Sequence, residues 1–215
     1  MHLFDFLSLS DYGSTMDLPW IKAFMNTRRT DADKIQADWS TKCRSHFPRE
    51  DEIRRAALLA WEGHLTSVEN MKIMNVSITD IPLDHMERLV SVVTGKVNIN
   101  MIHHTGQLSN ILTNVKCPDL CLSEMKLGQS ETRALVAAMR DRVQRVRIGH
   151  VTMDIEELTQ YDGQGRCSWF MMGGKTWRHW EKLRRWAADK GWWMGHDVNG
   201  GLEMGRMEAI KLKLA

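Results

Sequence analysis

The segment from Leu120 to Ile148, LCLSEMKLGQSETRALVAAMRDRVQRVRI, holds two short apolar patterns on either side of a stretch with helical spacing. Each pattern is an apolar residue, one variable residue and a second apolar residue, and this alternation predicts a short strand. Between the two patterns, Leu135, Val136 and Met139 fall on one face of a predicted helix from Thr132 to Arg142. The segment therefore predicts a strand, a turn, a helix, a second turn and a second strand.

The strand pattern recurs along the sequence every 22 to 26 residues, beginning at residue 71. A small apolar residue usually stands three places before a copy, as Val68, Cys117, Val143 and Cys167 do. Repetition at a fixed period predicts a solenoid whose strands lie side by side in one parallel sheet. The copies are Met71-Lys72-Ile73, Val97-Asn98-Ile99, Leu120-Cys121-Leu122, Val146-Arg147-Ile148, Phe170-Met171-Met172 and a weaker sixth, Trp192-Trp193-Met194.

With these copies at this period, the chain resembles the leucine-rich repeat superfamily, whose repeats are about 20 to 29 residues long. The resemblance is closest to repeats of the ribonuclease-inhibitor type and of NOD-like receptors, and it covers roughly residues 65 to 195. It implies an α/β solenoid with a parallel sheet on its concave side. The chain diverges from the family three places after the second apolar position, where the family has Asn or Cys and this sequence has Val76, Ile102, Met125 and Val151.

The helical segments and the repeats suggest three regions: residues 1–65, 66–191 and 192–215. Residues 66–191 are predicted to form five repeats, whose first two helices carry Met86, Leu89, Val90 and Val93, and then Leu108, Ile111, Leu112 and Val115. Residues 1–65 are predicted to form a helical N-terminal cap, because an open solenoid would leave the apolar edge of its first repeat in water.

Within the N-terminal cap, the sequence predicts two helices separated by Pro48. Thr30-Asp31 is predicted to cap the first helix, which runs to about Phe47. Arg49-Glu50-Asp51-Glu52 is predicted to open the second helix, which runs to His64.

Residues 192–215 are predicted to form a Trp-rich C-terminal cap. The strand Trp192 to Asp197, the turn Asn199-Gly200-Gly201 and the strand Leu202 to Met207 have the composition of a β-hairpin. In the helix predicted before this hairpin, Trp177, Trp180, Leu183 and Ala187 recur at helical spacing. We expect these tryptophans to pack in the core of a closing repeat rather than to bind a ligand.

Composition favours no polyanionic partner and no membrane. The 215 residues are 43% apolar, and 29 Lys and Arg against 27 Asp and Glu give a net charge of +2. The N-terminal residues lack the basic start and long apolar run of a signal peptide, and no stretch has the roughly 18 apolar residues of a membrane span. With only four cysteines, which we expect to be reduced, a cytoplasmic location is predicted.

Several local patterns suggest a metal, a nucleotide or catalysis, and each has a simpler structural interpretation. Cys117 and Cys121 have a plausible zinc spacing, but no second ligand pair follows them. Gly173-Gly174-Lys175-Thr176 lacks the earlier glycine of a phosphate-binding loop. Asp154, Glu156 and Glu157 suit the first turn of a helix. The sequence therefore predicts no catalytic residues, no metal and no cofactor, and the protein is not expected to be an enzyme.

The strand alternation predicts a partner-binding surface. If the apolar positions point into the core, the residues between and after them lie on the opposite face of the sheet. This face would be basic, amide-rich and partly apolar, which suits a protein interface, although ordinary solvated strands of a scaffold are an alternative. The predicted binding residues are Lys72, Met74, Asn98, Asn100, Ser123, Arg145, Arg147, Trp169 and Met171.

These patterns together predict a non-enzymatic module that binds a protein partner through its concave sheet face. The resemblance to receptor repeats implies a role in innate immunity. Two alternatives stay open. The basic helix 175–190, with Arg178, Lys182, Arg184 and Arg185 among its tryptophans, could bind nucleic acid. The chain could also be a structural subunit that assembles with copies of itself; the sequence does not fix the oligomeric state.

Overall fold

One mixed sheet of seven strands and seven helices form the described part of the chain. The computed structural model describes residues 19–41, 48–74, 80–100, 107–173, 179–196 and 201–206. The helices are α1 (Pro19–Thr41), α2 (Glu50–Trp61), α3 (Leu83–Ser91), α4 (Leu108–Asn114), α5 (Gln129–Asp141), α6 (Ile155–Leu158) and α7 (Trp180–Asp189). The strands are β1 (Val68–Met74), β2 (Val93–Asn100), β3 (Asp119–Ser123), β4 (Arg145–Gly149), β5 (Trp169–Gly173), β6 (Trp192–His196) and β7 (Leu202–Arg206).

The sheet follows the chain through its first five strands. Strands β1 to β5 are parallel and lie in sequence order, whereas β7 pairs with β5 and β6 pairs with β7 in antiparallel fashion, giving the order β1-β2-β3-β4-β5-β7-β6. The first apolar residues of the five copies stand directly beside one another in the register, and they are Met71, Val97, Leu120, Val146 and Phe170. The predicted α/β class with a mostly parallel sheet is confirmed.

The core lies between the helices and one face of the sheet. Both apolar positions of each of the five parallel copies are buried, and the helix residues Leu89, Leu112 and Leu135 belong to the same apolar cluster. The small residues that precede the copies, Val68 and Cys117 among them, are fully buried as well. Full burial of such an apolar side chain is worth about 1.5 to 3 kcal/mol, so the alternation itself fixes which face of each strand points inward.

Successive units are joined by backbone hydrogen bonds at equivalent positions just before the strands. The N–H of Gln144 donates to the carbonyl of Pro118 at 2.8 Å, and the N–H of Ser168 donates to the carbonyl of Gln144 at 2.9 Å. The carbonyl of Ser168 accepts instead from the N–H of Arg206, the last residue of the antiparallel β7, at 3.0 Å. The connections between strands therefore repeat along with the strands.

The predicted start of the first helix is wrong. Helix α1 begins at Pro19 and runs through Thr30 without a break, because the Thr30 hydroxyl donates to the carbonyl of Asn26 at 2.9 Å instead of capping a new helix. Its predicted end near Phe47 lies outside the described residues. Its buried residues Ala32 and Trp39 belong to the core, and the helix lies against β1.

The second predicted helix is confirmed, with its end at Trp61 rather than His64. It starts directly after Pro48 and Arg49, where the Arg49 N–H donates to the Glu52 carboxylate at 2.8 Å. The next predicted helix is two residues too long: α3 ends at Ser91, and Val93 opens β2. A β-branched Val at this point packs equally well in a strand, so periodicity alone does not separate the two.

The predicted C-terminal hairpin is confirmed in β6 and β7, although its turn at Asn199-Gly200 lies outside the described residues. The sixth copy of the repeat does not take the sixth place in the sheet, because β7 inserts between β5 and β6 and runs antiparallel. Trp192 still points into the core, where its ring lies 5.5 Å from that of Trp186 and 6.0 Å from that of Tyr161. Leu183 and Ala187 of α7 are buried as predicted, while Trp177 lies outside the described residues.

A search of the described residues for a helix long and apolar enough to cross a membrane finds none.

Candidate functional site

Three rows of side chains cross the face of the sheet opposite the helices, and we call these rows the open face. Each row takes one residue from each of the five parallel strands, and every row residue on β4 and β5 is partly or well exposed. All nine residues predicted from the sequence lie in these rows. The first row is Asn70, Lys96, Asp119, Arg145 and Trp169; the second is Lys72, Asn98, Cys121, Arg147 and Met171; the third is Met74, Asn100, Ser123, Gly149 and Gly173.

An arginine, a tryptophan and a glutamate form a cluster on the open face where β4, β5 and β7 meet. The guanidinium carbon of Arg147 lies 5.7 Å from the centre of the Trp169 ring. The indole Nε1 of Trp169 donates to the Glu203 carboxylate at 2.5 Å. Glu203 is only 8% exposed, so a charged hydrogen bond holds Trp169 in place. The cluster fixes the position of an exposed guanidinium group.

A second ion pair crosses the first row. Arg145 binds the carboxylate of Asp119 with both ends of its guanidinium group, at 2.6 and 2.7 Å. This two-pronged geometry gives each oxygen of the Asp119 carboxylate a donor and pairs the charge of Arg145 inside the molecule. Arg145, predicted as a partner-binding residue, is thus engaged inside the molecule.

The carboxylates of the open face are used internally, whereas two of its cations are not. Asp119 is bound by Arg145, and Glu203 accepts from Trp169. Within the described ranges, Lys96 and Arg147 form no ion pair, and the guanidinium of Arg147 lies over the uncharged Trp169 ring. The charge that the open face offers to a partner is therefore positive.

The third row is nearly flat at β4 and β5, where Gly149 and Gly173 stand side by side. A Cβ atom at Gly149 would lie 3.5 Å from the Cβ of Ser123, and one at Gly173 would lie 3.6 Å from the nearest backbone atoms. Both distances are ordinary contacts, and neither glycine has a positive φ. The packing inside the molecule thus leaves room for a side chain at both positions.

The sequence analysis missed Asp119 and Glu203 as residues of the open face. Asp119 precedes Leu120 by one place, so the same alternation that gave Arg145 would have found it. Glu203 alternates with the buried Leu202 and Met204, but its place beside Met171 depends on β7 pairing with β5. That pairing is long-range and leaves no local signal in the sequence.

The two cysteines with zinc-like spacing lie on different sides of the sheet. Cys117 is buried, and burial raises the pKa of its thiol to about 11. Cys121 is partly exposed in the second row of the open face. Burial likewise raises the pKa of the Cys167 thiol to about 12. A search of the described residues for three or more His, Cys, Asp or Glu placed to hold a metal finds no such group.

The basic helix proposed as a nucleic-acid site uses much of its charge internally. In α7, Arg184 and Arg185 both bind Glu181, at 2.9 and 3.1 Å, and their hydrogen bonds lower the pKa of Glu181 to about 2. Lys182 pairs with Glu156 of α6. Arg178 lies outside the described residues. The described cations of this helix are therefore partly neutralised by neighbouring acids.

Comparisons of the chain with family models, with curated proteins and with solved structures give no match.

Proposed function

We propose that this protein is a non-enzymatic recognition module that binds a protein partner through the open face of its sheet. The observation that supports this function most is the register of the three rows. It aligns side chains of five parallel strands on one face, while helices and apolar packing occupy the other. A surface assembled from equivalent positions of successive units is the binding surface typical of repeat proteins.

A leucine-rich-repeat-like solenoid is the architecture we propose for this surface. Equivalent buried positions recur from unit to unit, and equivalent backbone hydrogen bonds recur at the carbonyls of Pro118 and Gln144. In this proposal the open face is concave, α1 and α2 cap the first repeat, and the hairpin β6–β7 caps the last. A place in innate immune recognition follows only by analogy with receptors built from such repeats.

The chemistry of the open face supports a protein partner. Arg147 stacks on Trp169 next to Met171 in the register, and Arg, Trp and Met are enriched in protein interfaces. Arg and Trp are also among the residues that carry most of the binding energy when they are clustered. The internal pairing of Arg184, Arg185 and Lys182 supports nucleic-acid binding by α7 less well.

The test is capture of partners from a cell lysate by three forms of the protein. Arg147→Glu reverses the exposed charge of the open face. Arg55→Glu makes the same change at an exposed position of α2, away from the open face, and serves as the matched control. Circular dichroism and thermal melting establish first that all three forms are folded alike.

We expect the wild type and Arg55→Glu to retain the same partner and Arg147→Glu to lose at least about 90% of it. Removing the guanidinium from the contact and reversing its charge would cost about 2 kcal/mol or more. Equal retention by Arg147→Glu, or capture that Arg55→Glu alone abolishes, would place the interaction elsewhere.

A further inference from the structure

We infer that the segment bound by the open face is an acidic stretch of a partner protein in extended conformation. This inference rests on the proposed function and specifies the chemistry of the ligand. It comes from three properties of the open face: its uncompensated charge, its dimensions and its polar side chains.

The first property is the charge of the open face. The open face carries the cations Lys72, Lys96, Arg145 and Arg147 in its rows, and the acids Asp119 and Glu203 beside them. Arg145 neutralises Asp119, and Glu203, which accepts from the uncharged Trp169 indole, is only 8% exposed. The charge that a partner meets is therefore positive, at Lys96 and Arg147. Complementary charge on a partner speeds association and excludes basic segments, since like charges at a contact cost several kcal/mol.

The dimensions suit a segment of chain. Five strands about 4.8 Å apart span about 19 Å, which is the length of about six residues of extended chain. Lys96 on β2 and Arg147 on β4 are two strands and one row apart, or about 12 Å, close to the span of three to four extended residues. One segment lying across the strands can therefore place a carboxylate at each cation.

The polar side chains beside the cations suit a polypeptide backbone. Asn98 and Asn100 stand on β2 next to Lys96, and side-chain amides offer both a donor and an acceptor to peptide groups. Beside Arg147, the room over Gly149 and Gly173 lets a main chain approach the sheet closely. The chain would thus cross the face with its backbone near the amides and the glycines.

Single-stranded nucleic acid suits the same face less well. Its binding sites combine a continuous basic groove with aromatic rings on which bases stack. Within the described strands, the register places two tryptophans on this side of the sheet: Trp169, whose ring Arg147 covers, and the exposed Trp193 of β6, which continues the first row beyond Gly205. Asp119 also interrupts the line of cations in the first row.

The experiment uses a displayed library of random peptides selected on the wild-type protein. Recovered peptides are tested for binding to the wild type and to Arg147→Glu, Lys96→Glu and Arg147→Lys, with Arg55→Glu as the charge-matched control. Melting temperatures establish that the variants are folded. Alkylation of Cys121, in the middle of the second row, reports whether a peptide covers the open face. A labelled oligo(dT) strand is tested against the same variants.

We expect the recovered peptides to be enriched in Asp and Glu and to shield Cys121 from alkylation. They should bind Arg147→Glu and Lys96→Glu at least tenfold more weakly than the wild type, and Arg147→Lys should restore part of the affinity. Binding to Arg55→Glu should change by less than about twofold.

Several results would overturn the inference. Peptides that shield Cys121 but show no acidic enrichment leave the proposed function intact and refute the acidic ligand. Peptides that bind Arg147→Glu as tightly as the wild type count against both the acidic ligand and the proposed function. Two further results count against both. One is that the peptides leave Cys121 unshielded; the other is that selection on the wild type recovers no more binding peptides than selection on Arg147→Glu. Oligo(dT) binding that Arg147→Glu and Lys96→Glu abolish, without peptide binding, would assign the face to nucleic acid.

Discussion

Two residues directly after strands, Glu124 and His150, adopt the left-handed backbone conformation, with φ values of 53° and 51°. They follow Ser123 and Gly149, which are register partners in the third row. The same turn therefore recurs in two successive units. This conformation costs a residue with a Cβ atom about 1 to 2 kcal/mol, whereas glycine adopts it freely.

We predict that His150→Gly leaves the free energy of unfolding unchanged or raises it by up to about 1 kcal/mol, because relief of strain offsets the added chain entropy. His150→Val should lower it by about 1 to 2 kcal/mol, since a β-branched residue fits this conformation poorly. Urea unfolding of the two variants measures the difference. Equal stabilities of the Gly and Val variants would argue against the left-handed turn.

The cysteines should differ sharply in reactivity. Cys117 and Cys167 are buried and their pKa values are raised to about 11 and about 12, so at about pH 8 roughly one Cys117 thiol in a thousand is ionised. Cys121 is partly exposed. Iodoacetamide should therefore label Cys121 at least about 100-fold faster than Cys117 or Cys167 in the folded protein; Cys43 lies outside the described residues.

Tandem mass spectrometry separates the sites, and labelling in denaturant provides the control, in which the three rates should converge. Fast labelling of Cys117 in the folded protein would mean that the space between helices and sheet is open to reagent.

The open-face residues were predictable because alternation along a strand is local. Knowing that Met71 and Ile73 point inward is enough to place Lys72 and Met74 outward, and the register aligns them with the other predicted positions. What each side chain binds was not predictable. The Arg145 pair with Asp119 joins neighbouring strands, and the bond from Trp169 reaches a strand 34 residues further along the chain.

At the scale of elements, one buried carboxylate links α5 to α6. Glu157 is 4% exposed, and it accepts from the Arg133 guanidinium at 2.8 Å and from the Gln129 amide at 2.8 Å. These two groups hold the pKa of Glu157 below its usual value. Helix α6 is a single turn capped by Asp154, whose carboxylate accepts from the N–H groups of Glu156 and Glu157, so this link helps to keep it in place.

We predict that Glu157→Gln lowers the melting temperature at neutral pH. A carboxylate whose pKa is lowered by folding stabilises the folded state above its unfolded pKa, about 4.3, and loses that effect as the pH falls through its folded pKa. The difference in melting temperature between the wild type and Glu157→Gln should thus be largest at about pH 7 and should shrink below about pH 4. Thermal melts from about pH 3 to about pH 7 measure it; a gap that is constant across this range would refute the coupling.

The elements that the sequence predicted well are those decided by short-range pattern. Helix α5 and the five parallel strands combine clear periodicity with turns at a regular spacing. The errors fall where two structures satisfy the same pattern. Val93 suits a helix end or a strand start, and Thr30 suits a cap or a helix interior in which its hydroxyl bonds to Asn26. The place of β7 beside β5 depends on tertiary packing, and the hairpin sequence alone does not encode it.

At the scale of the whole molecule, the two faces of the sheet have different roles. The buried face is continuous from β1 to β7, which provides the stability of the domain. The side chains of the open face lie outside that core and bond mainly to one another, as Arg145 does to Asp119 and Trp169 to Glu203. The acids Asp119 and Glu203 are thus bonded within the molecule, whereas the cations Lys96 and Arg147 form no ion pair within the described ranges. We connect this charge pattern with recognition.

The most direct test of this account is an alkylation footprint of the protein with its captured partner. Cys121 reports on the open face, and a cysteine introduced by Arg55→Cys reports on the helical side. We predict that the partner slows the labelling of Cys121 at least tenfold and changes the labelling rate at position 55 by less than about twofold. Slowed labelling at position 55 with Cys121 unaffected would contradict the claim that the open face binds the partner.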